Sequence, residues 1–401
     1  MKRLKVIFCV VIIVAIGSCV KLENPAVRGS TPVLPTQPYN YDTPINPAFF
    51  APYGDSIISN DVATLGRVLF YDVQLSLNNR VSCGSCHVQI HGFSDDTKGS
   101  VGFMGGITSR NTQTIVNTGT QLGFFWDLRE ETLDHMVLQP IANHLEMGLD
   151  DTLLMESRIR ETDYYTPLFT NAFGSDEVTT KKIGLALAQF VKSIISVSTR
   201  YDQGRMALAQ QSPPIVGGTA NMTDFDNYTE LENYGKFLFF RKFPCSTCHA
   251  GPNLDGSLSF PHNIGLDMHY PDAGMPGTHP LTGEPLNGFF KTPSLRNIAL
   301  TAPYMHDGRF KTLEEVIDFY DHGVQSHPQL SEGLRIPTSG GLQPVQIGPW
   351  INSGYYPPGV IIAQPMYMSE VEKQALIAFL NTMTDYNVIS DPKFSDPFRI
   401  N

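Results

Sequence analysis

Two short segments of the chain contain residue types that can hold a metal cofactor covalently. In both, two cysteines separated by two residues are followed directly by a histidine: Cys83-Gly84-Ser85-Cys86-His87 and Cys245-Ser246-Thr247-Cys248-His249. At this spacing the two thiols can add to the two vinyl groups of one porphyrin, and the histidine is then held beneath the iron as an axial ligand. The two motifs therefore predict two covalent haems of the c type.

Two other kinds of site use similar cysteine pairs. A zinc site with four cysteines usually has its pairs much closer together in the sequence than these two pairs are. A thioredoxin-like dithiol does not need a histidine after each pair. Both alternatives therefore explain the motifs less well than covalent haem does.

The N-terminal residues have the features of a bacterial export signal. The first residues are basic, and the apolar run from Val6 to Ile16 is too short to cross a bilayer comfortably. The run ends just before Cys19, in a sequence that resembles the site cut by the lipoprotein signal peptidase. We expect residues 1–18 to be removed and Cys19 to be acylated on the periplasmic side of a bacterial membrane. An uncleaved anchor and an ordinary secretory signal are the alternatives.

Length, charge and cysteine count limit the remaining possibilities. A chain of 401 residues is long enough for two domains, each with its own core. The net charge is -11, and no long run of Lys or Arg follows the N-terminus, so we expect no nucleic-acid partner. Because Cys9 is lost with the signal and Cys19 takes the lipid, no cysteine is left over for a structural disulfide.

A phrase before the first motif recurs before the second. The segment 65–71 precedes Cys83, and the similar segment 234–240 precedes Cys245. This internal repeat predicts two related domains in tandem. We place them at 53–211 and 212–401, with a tail of the second that can pack back on the first, and we interpret the Pro-rich residues 19–52 as a tether to the membrane.

Patterns typical of helices are common, and strand alternation is scarce. Apolar residues recur at helical spacing from Ile183 to Val197, and capping boxes begin at Thr312 and Ser369. The predicted fold class is therefore mainly α, with two cytochrome c-like haem domains and long loops. Residues 327–366 form a long Pro/Gly-rich segment without periodicity, which is uncommon in compact domains unless it has a function or covers something.

From Asp61 to Asp385 the chain resembles the bacterial dihaem cytochrome c peroxidases and their relative MauG. The resemblance implies that peroxide reacts at the N-terminal haem and that electrons enter at the C-terminal haem, from a small exported donor such as a cytochrome c. It also allows a homodimer. The matching phrases are Ser109-Arg110-Asn111, Phe125-Trp126-Asp127, Leu145-Glu146-Met147-Gly148, Ser294-Leu295-Arg296-Asn297 and Leu300-Thr301-Ala302-Pro303-Tyr304-Met305-His306-Asp307-Gly308.

The same resemblance assigns roles to single residues. Glu146 corresponds to the distal acid/base, which would take a proton from bound peroxide and deliver it to the leaving oxygen. Trp126 matches the tryptophan between the two haems, whose ring could relay electrons. Asn111, Thr301 and Pro303 correspond to the calcium ligands between the haems, and oxygen donors of this kind suit calcium.

The chain departs from the standard peroxidases at the first haem. Where many of them carry a distal histidine in a mobile loop, this chain has Phe103, which cannot ligate iron. We therefore expect a first haem that is five-coordinate or water-bound without prior reduction, and His91 is the nearby imidazole that could overturn this. An assisting glutamine of some relatives falls at Met136, and Gln139 is a candidate substitute.

At the second haem the distal methionine of the family aligns with Tyr320, as in MauG. A phenolate is a hard anionic ligand that favours ferric iron and should lower the reduction potential. Tyr320 also lies on an apolar helical face, so a packing role is the alternative. The rival ligands are Met305, His322 and Met368, while His262 and His306 are expected to line the second haem pocket.

Three functions follow from these expectations. The first is a peroxidase that reduces hydrogen peroxide to water. The second is a MauG-like oxidase of a protein substrate, favoured by the combination of Phe103 and Tyr320. The third is a lipid-anchored dihaem electron carrier without catalysis, which predicts two six-coordinate haems and no peroxide turnover.

Overall fold

A computed structural model of the chain describes residues 27–42, 57–121, 123–214, 217–256, 261–278, 283–336 and 361–400. Its regular structure is mainly helical, as predicted. The four strands, of two residues each, are β1 Val27–Arg28, β2 His262–Asn263, β3 Phe289–Phe290 and β4 Arg399–Ile400. The α-helices are α1 Asn60–Tyr71, α2 Cys83–Cys86, α3 Leu133–Met136, α4 Gln139–Ala142, α5 Thr152–Arg160, α6 Tyr165–Phe173, α7 Thr180–Ser193, α8 Arg200–Ala209, α9 Gly217–Met222, α10 Glu230–Phe237, α11 Cys245–Cys248, α12 Leu313–Asp318 and α13 Glu370–Asn381.

Each half of the molecule is built on one close crossing of two helices. In the first half α1 packs on α7, and in the second half α10 packs on α13. A Cβ atom at Gly66 would lie 1.9 Å from Ala186 O, and a Cβ atom at Gly235 would lie 1.8 Å from Ala375 O. Since only glycine allows backbones to approach so closely, the repeated glycine of the two similar phrases positions the same helix pair in both halves.

A turn around an asparagine is also repeated. Asn117 and Asn297 both adopt the left-handed conformation, with φ of 59° and 60°, and each is followed by one turn of 3₁₀ helix. Asn117 Oδ1 accepts a hydrogen bond from Ser196 N at 2.8 Å. Asn297 Oδ1 accepts one from Asp385 N at 2.7 Å. Asparagine tolerates positive φ because its short side chain can bond locally, so both turns use it in the same way.

The buried apolar side chains form two clusters, one in each half. The first contains residues from Tyr41 to Ile194 together with Val388, Phe394 and Phe398, so the C-terminal tail packs on the first half. The second runs from Tyr201 to Met383. Residues on both sides of the predicted boundary at 211/212 therefore belong to the second core, and the exact domain limits stay a prediction.

Part of the Pro-rich segment interpreted as a tether is bound to the body of the protein. Tyr41 is only 1% exposed and lies in the first core, and its hydroxyl donates to Lys393 O at 3.1 Å. β1 pairs antiparallel with β4. Residues 27–42 are thus not a free linker, and the reason is the C-terminal tail, which supplies partners from a distant part of the chain. The expected signal peptide, Cys19 and the loop residues 337–360 lie outside the described residues.

The two halves exchange backbone hydrogen bonds across their contact. Asn111 N donates to His306 O at 2.8 Å, and Lys291 N donates to Trp126 O at 2.8 Å. Asn253 of the second half adds side-chain bonds, because its Oδ1 accepts from Asn117 Nδ2 at 3.0 Å. These contacts join the two halves through both backbone and side-chain groups.

Within the described part of the chain, no helix is both long and apolar enough to cross a membrane.

Candidate haem sites

Each CxxCH motif faces its own cavity. Cys83, Cys86 and His87 line the cavity of the first half. Cys245, Cys248 and His249 line the cavity of the second half. In both motifs the cysteines lie on a single helical turn, α2 or α11, which places both thiols on the same side. The described residues therefore fit covalent attachment of one haem in each half.

The two motif histidines are oriented in the same way. His87 Nδ1 lies 3.0 Å from Phe93 O, and His249 Nδ1 lies 2.9 Å from Leu254 O. Because these carbonyl groups accept a hydrogen bond from Nδ1–H, they leave Nε2 as the coordinating atom and fix the ring orientation. Burial lowers the pKa of both imidazoles, to about 4 for His249. The neutral rings are therefore suited to ligate iron.

Glu146 lines the first cavity together with the residues of the first motif, although it lies about sixty residues further along the chain. It lies in the short segment after α4, and its Oε1 accepts a hydrogen bond from Asn143 Nδ2 at 2.7 Å. Burial raises the pKa of Glu146, although the Arg129 guanidinium and the Asn143 amide favour the ionised form. A carboxyl group with these opposing influences is suited to accept and return a proton.

The loop that carries Phe103 is folded against the Glu146 segment. Phe103 N donates to Glu146 O at 2.8 Å. A Cβ atom at Gly148 would lie 2.2 Å from Phe103 Cε1, so the phenyl ring packs over the glycine backbone. Phe103 is not among the residues that line the first cavity. The side chain thus supports the Glu146 segment from outside the cavity.

The other candidates at the first haem separate into two groups. Met136 lines the cavity, whereas His91 and Gln139 do not. Gln139 Nε2 instead donates to Glu130 Oε2 at 2.5 Å. The amide group therefore does not face the cavity, where it would have to lie to replace the assisting glutamine of some relatives. Among the described residues, His87 and His306 are the imidazoles in this cavity wall. The expectation of an open first haem remains a prediction.

Trp126 lies in the wall between the cavities and lines both of them. Its indole Nε1 donates to Asn111 O at 2.8 Å, and the side chain is 9% exposed. The indole ring is 6.5 Å from the His306 ring in an edge-on arrangement, and His306 stacks on Phe290 at 3.8 Å. The structure therefore places Trp126 between the two cavities, and its role as an electron relay stays a prediction.

Tyr320 lines the second cavity together with the second motif. It lies in a π-helical turn, Phe319–Gly323, that continues α12. Burial raises the pKa of Tyr320 well above the ordinary value, and the nearby thiols of Cys248 and Cys245 add to this, so the phenol is neutral in the absence of a metal.

The rival ligands of the second haem are placed differently. Met305 lines the second cavity, as does Met366, which the sequence had not singled out. The side chain of His322 is 67% exposed, and its Nδ1 faces Asp321 at 3.4 Å. Met368 is buried outside the cavity wall. Met305 and Met366 thus share the cavity wall with Tyr320 and stay candidate ligands, whereas His322 and Met368 do not line the cavity.

His306 lines the second cavity, as expected, and so does His262. His262 Nδ1 lies 3.3 Å from Ser331 Oγ. Its Nε2 is buried and finds no hydrogen-bond partner among the described residues. A ring nitrogen in this position can bond to a group that enters the cavity.

The three residues assigned to calcium come together at the second cavity. Asn111, Thr301 and Pro303 all line it. Asn111 Nδ2 donates to Thr97 O at 3.1 Å, which leaves its Oδ1 as an oxygen donor. No cluster of three or more His, Cys, Asp or Glu side chains that could hold a metal occurs in the described ranges. A calcium ion here would therefore depend on amide and carbonyl oxygens.

Sequence reasoning missed a polar group in the wall between the cavities. Gln113, Gln121 and Lys291 line both cavities. A signal was present, because Lys291 precedes Asn297 by the same interval that separates Asn111 from Asn117. Aligning the two repeats through these asparagines would have placed Lys291 beside the site.

Comparisons with known proteins show which proteins this chain is similar to. Residues 60–209 match the family model described as di-haem cytochrome c peroxidase. The methylamine utilization protein MauG of Methylorubrum extorquens is 32% identical over 327 residues, which cover 81% of this chain and 79% of that protein. The cytochrome c551 peroxidase of Nitrosomonas europaea is 34% identical over 260 residues, or 64% of this chain and 72% of that protein.

Solved structures show the same architecture. A MauG-like protein associated with microbial copper homeostasis is 32% identical, with a TM-score of 0.69 over 90% of this chain and 100% of that one. The diheme peroxidase BthA from Burkholderia thailandensis has the same fold at 19% identity, with a TM-score of 0.60 over 93% of this chain and 98% of that one.

Proposed function

Since the chain belongs to the family of di-haem cytochrome c peroxidases and MauG proteins, we propose that it reduces hydrogen peroxide to water at its N-terminal haem. The two electrons come from a small exported donor such as a cytochrome c and enter at the C-terminal haem. The observation that carries this proposal is the position of Glu146, a half-buried carboxyl group in the same cavity as His87. An electron carrier without catalysis has no use for an acid/base group at this place.

The haem iron, when bound, supplies the site where peroxide is held and electrons are exchanged. Glu146 takes the proton from one peroxide oxygen and returns it to the other, so that water leaves instead of hydroxide. Asn143 holds the carboxylate in place through its 2.7 Å hydrogen bond. Trp126, bonded to Asn111 O and lining both cavities, lies on the route by which electrons pass from the second half to the first.

A MauG-like oxidation of a protein substrate is the second candidate. The observation in its favour is Tyr320, which lines the second cavity at the position where MauG has a tyrosine. A phenolate ligand would lower the potential of the second haem and favour its oxidised states. Such a haem is suited to oxidising a substrate as well as to relaying electrons from a donor.

Calcium and membrane attachment complete the proposal. The oxygen donors of Asn111, Thr301 and Pro303 suit a calcium ion at the wall between the halves, with water in the remaining positions. Acylation of Cys19 would hold the protein on the periplasmic side of a bacterial membrane. The small-residue sequence before Cys19 supports this attachment.

An optical titration of the haem-loaded protein with stoichiometric hydrogen peroxide tests the proposed function. The protein is fully oxidised at the start, and no reductant is present. A rapid change of the Soret band supports a first haem that is open in the oxidised state. Reaction only after one-electron reduction keeps the peroxidase function but refutes the open first haem. If the Soret band changes neither in the oxidised nor in the one-electron-reduced protein, the proposal is overturned in favour of an electron carrier.

A further inference from the structure

The wall between the two cavities contains polar side chains that no role described so far explains. Trp126 and His306 supply its aromatic part. Beside them lie Gln113, Gln121 and Lys291, which carry hydrogen-bond donors and line both cavities. Because these donors lie between the two cavities, a donor without a partner in the protein can bond to a group that occupies one of the cavities.

Lys291 brings a positive charge into this wall. Its Nζ donates to Gln121 Oε1 at 2.7 Å. An ammonium group has three N–H donors, and within the described ranges this amide oxygen is the acceptor found for it. Burial lowers the pKa of Lys291 to about 8, and the attraction of Asp255 only partly opposes this effect. The charge is therefore incompletely compensated by the protein.

Gln113 supplies a second unused donor. Its Nε2 is buried and has no hydrogen-bond partner in the part of the chain that the structure describes. Leaving a buried donor without a partner is unfavourable, so such atoms usually bond to a group that binds at the site. The unpaired amide and the buried ammonium line the same two cavities, and both are suited to an anionic oxygen.

A haem brings such an oxygen, because each porphyrin carries two propionate carboxylates. We propose that Lys291, together with Gln113, binds a haem propionate at the wall between the two cavities, and that Gln121 holds the lysine in position. The inference rests on haem binding but not on peroxide chemistry, so the two proposals can fail separately.

The charge has a predictable effect on the haem. A cation beside a propionate favours the reduced iron, because reduction adds an electron near a positive group. Replacing Lys291 by methionine removes the charge and leaves the carboxylate without its partner. Both changes lower the midpoint potential of the haem concerned. We expect a shift of about tenfold in its reduction equilibrium, which is about 59 mV for one electron.

Redox-difference infrared spectroscopy tests the contact directly in the full-length, haem-loaded protein. Haem made from 5-aminolevulinate labelled with ¹³C at its carboxyl carbon carries the label in the propionates. We expect the labelled carboxylate band to move in Lys291→Met and to stay close to the wild-type position in Lys291→Arg, which keeps the charge. Spectroelectrochemistry of the same samples shows which of the two haems changes its midpoint.

Lys181→Met is the matched control, because Lys181 is exposed on α7 and its loss changes the net charge equally. Unchanged labelled bands and midpoints in Lys291→Met overturn the proposal, as do equal shifts in the control. If Lys291→Met does not incorporate haem, Gln113→Leu decides. That variant keeps the ammonium and removes one amide donor, so a labelled band at the wild-type position would overturn the proposal.

Discussion

Replacing Glu146 by glutamine isolates the proton transfer proposed for this side chain. Glutamine has the same length, and its amide oxygen can accept the bond that Asn143 Nδ2 donates to Glu146 Oε1 at 2.7 Å. The substitution therefore removes the proton acceptor with little change in packing. A positioned acid/base group contributes roughly 10²–10⁴-fold to a rate. We expect the peroxide reaction to slow by this factor, or about 2.7–5.4 kcal/mol in activation free energy.

The pH dependence gives the same reasoning a second test. Only the carboxylate accepts a proton, so the wild-type rate should rise with pH through the pKa of Glu146. Burial raises this pKa, which places the rise above the ordinary range of a glutamate. Asn143→Leu removes a hydrogen bond to the carboxylate worth about 1 kcal/mol at a partly solvated site. That variant should be about fivefold slower at low pH and should approach the wild-type rate at high pH.

The assay is stopped-flow absorbance of the Soret band after oxidised protein is mixed with peroxide at a series of pH values. Haem content is measured first in each variant. Glu161→Gln serves as the control, since Glu161 is an exposed glutamate of the same half. A Glu146→Gln variant that reacts as fast as the wild type, with a rate that still rises with pH, would show that another group handles the proton and would refute the reasoning.

Four further outcomes are expected. Tyr320→Phe should raise the midpoint potential of the second haem, because a hard anionic ligand is lost; an unchanged potential in spectroelectrochemistry argues for a packing role. Trp126→Phe should slow electron transfer between the haems but not the initial peroxide reaction, and equal kinetics in double-mixing experiments count against a relay. Removing calcium with a chelator should change the haem spectra of the wild type, and Asn111→Leu should abolish this response; a persisting response places the ion elsewhere. Arg296→Met leaves the buried Asp202 carboxylate without the guanidinium that donates two hydrogen bonds of 2.7 Å to it. The free energy of unfolding in urea should therefore fall by about 3–5 kcal/mol; a fall within the error of the measurement would mean that the site repacks.

The local part of the site could be predicted from the sequence, because covalent haem attachment depends on residues that are adjacent in the chain. The CxxCH motifs therefore identified residues that line each of the two cavities. Glu146, Trp126 and Tyr320 have no such local signature, and only the resemblance to a family identified them. Tyr320, for example, also fits an apolar helical face, and its place in the cavity depends on the π-helical turn that continues α12.

Features made by distant segments could not be predicted in this way. The wall that contains Lys291 and Gln113 forms only when the two halves meet, so the only sequence signal for Lys291 was the alignment of the two repeats, and Gln113 had none. The position of the Phe103 ring depends on Gly148, because the absence of a side chain at this glycine lets the ring pack over its backbone. Tyr41 is a single aromatic residue among prolines, and its burial depends on a tail that lies more than three hundred residues further along the chain.

If Cys19 is acylated as proposed, the pairing of β1 with β4 limits how far the protein can stand from the membrane. A linker of residues 19–52 could extend about 110 Å, but the body already begins at Val27. With Cys19 acylated as proposed, only seven residues lie between Cys19 and Val27, a reach of at most about 28 Å. The protein would then remain beside the bilayer surface, where an electron donor must meet it. A membrane-bound donor could therefore find it by lateral diffusion alone.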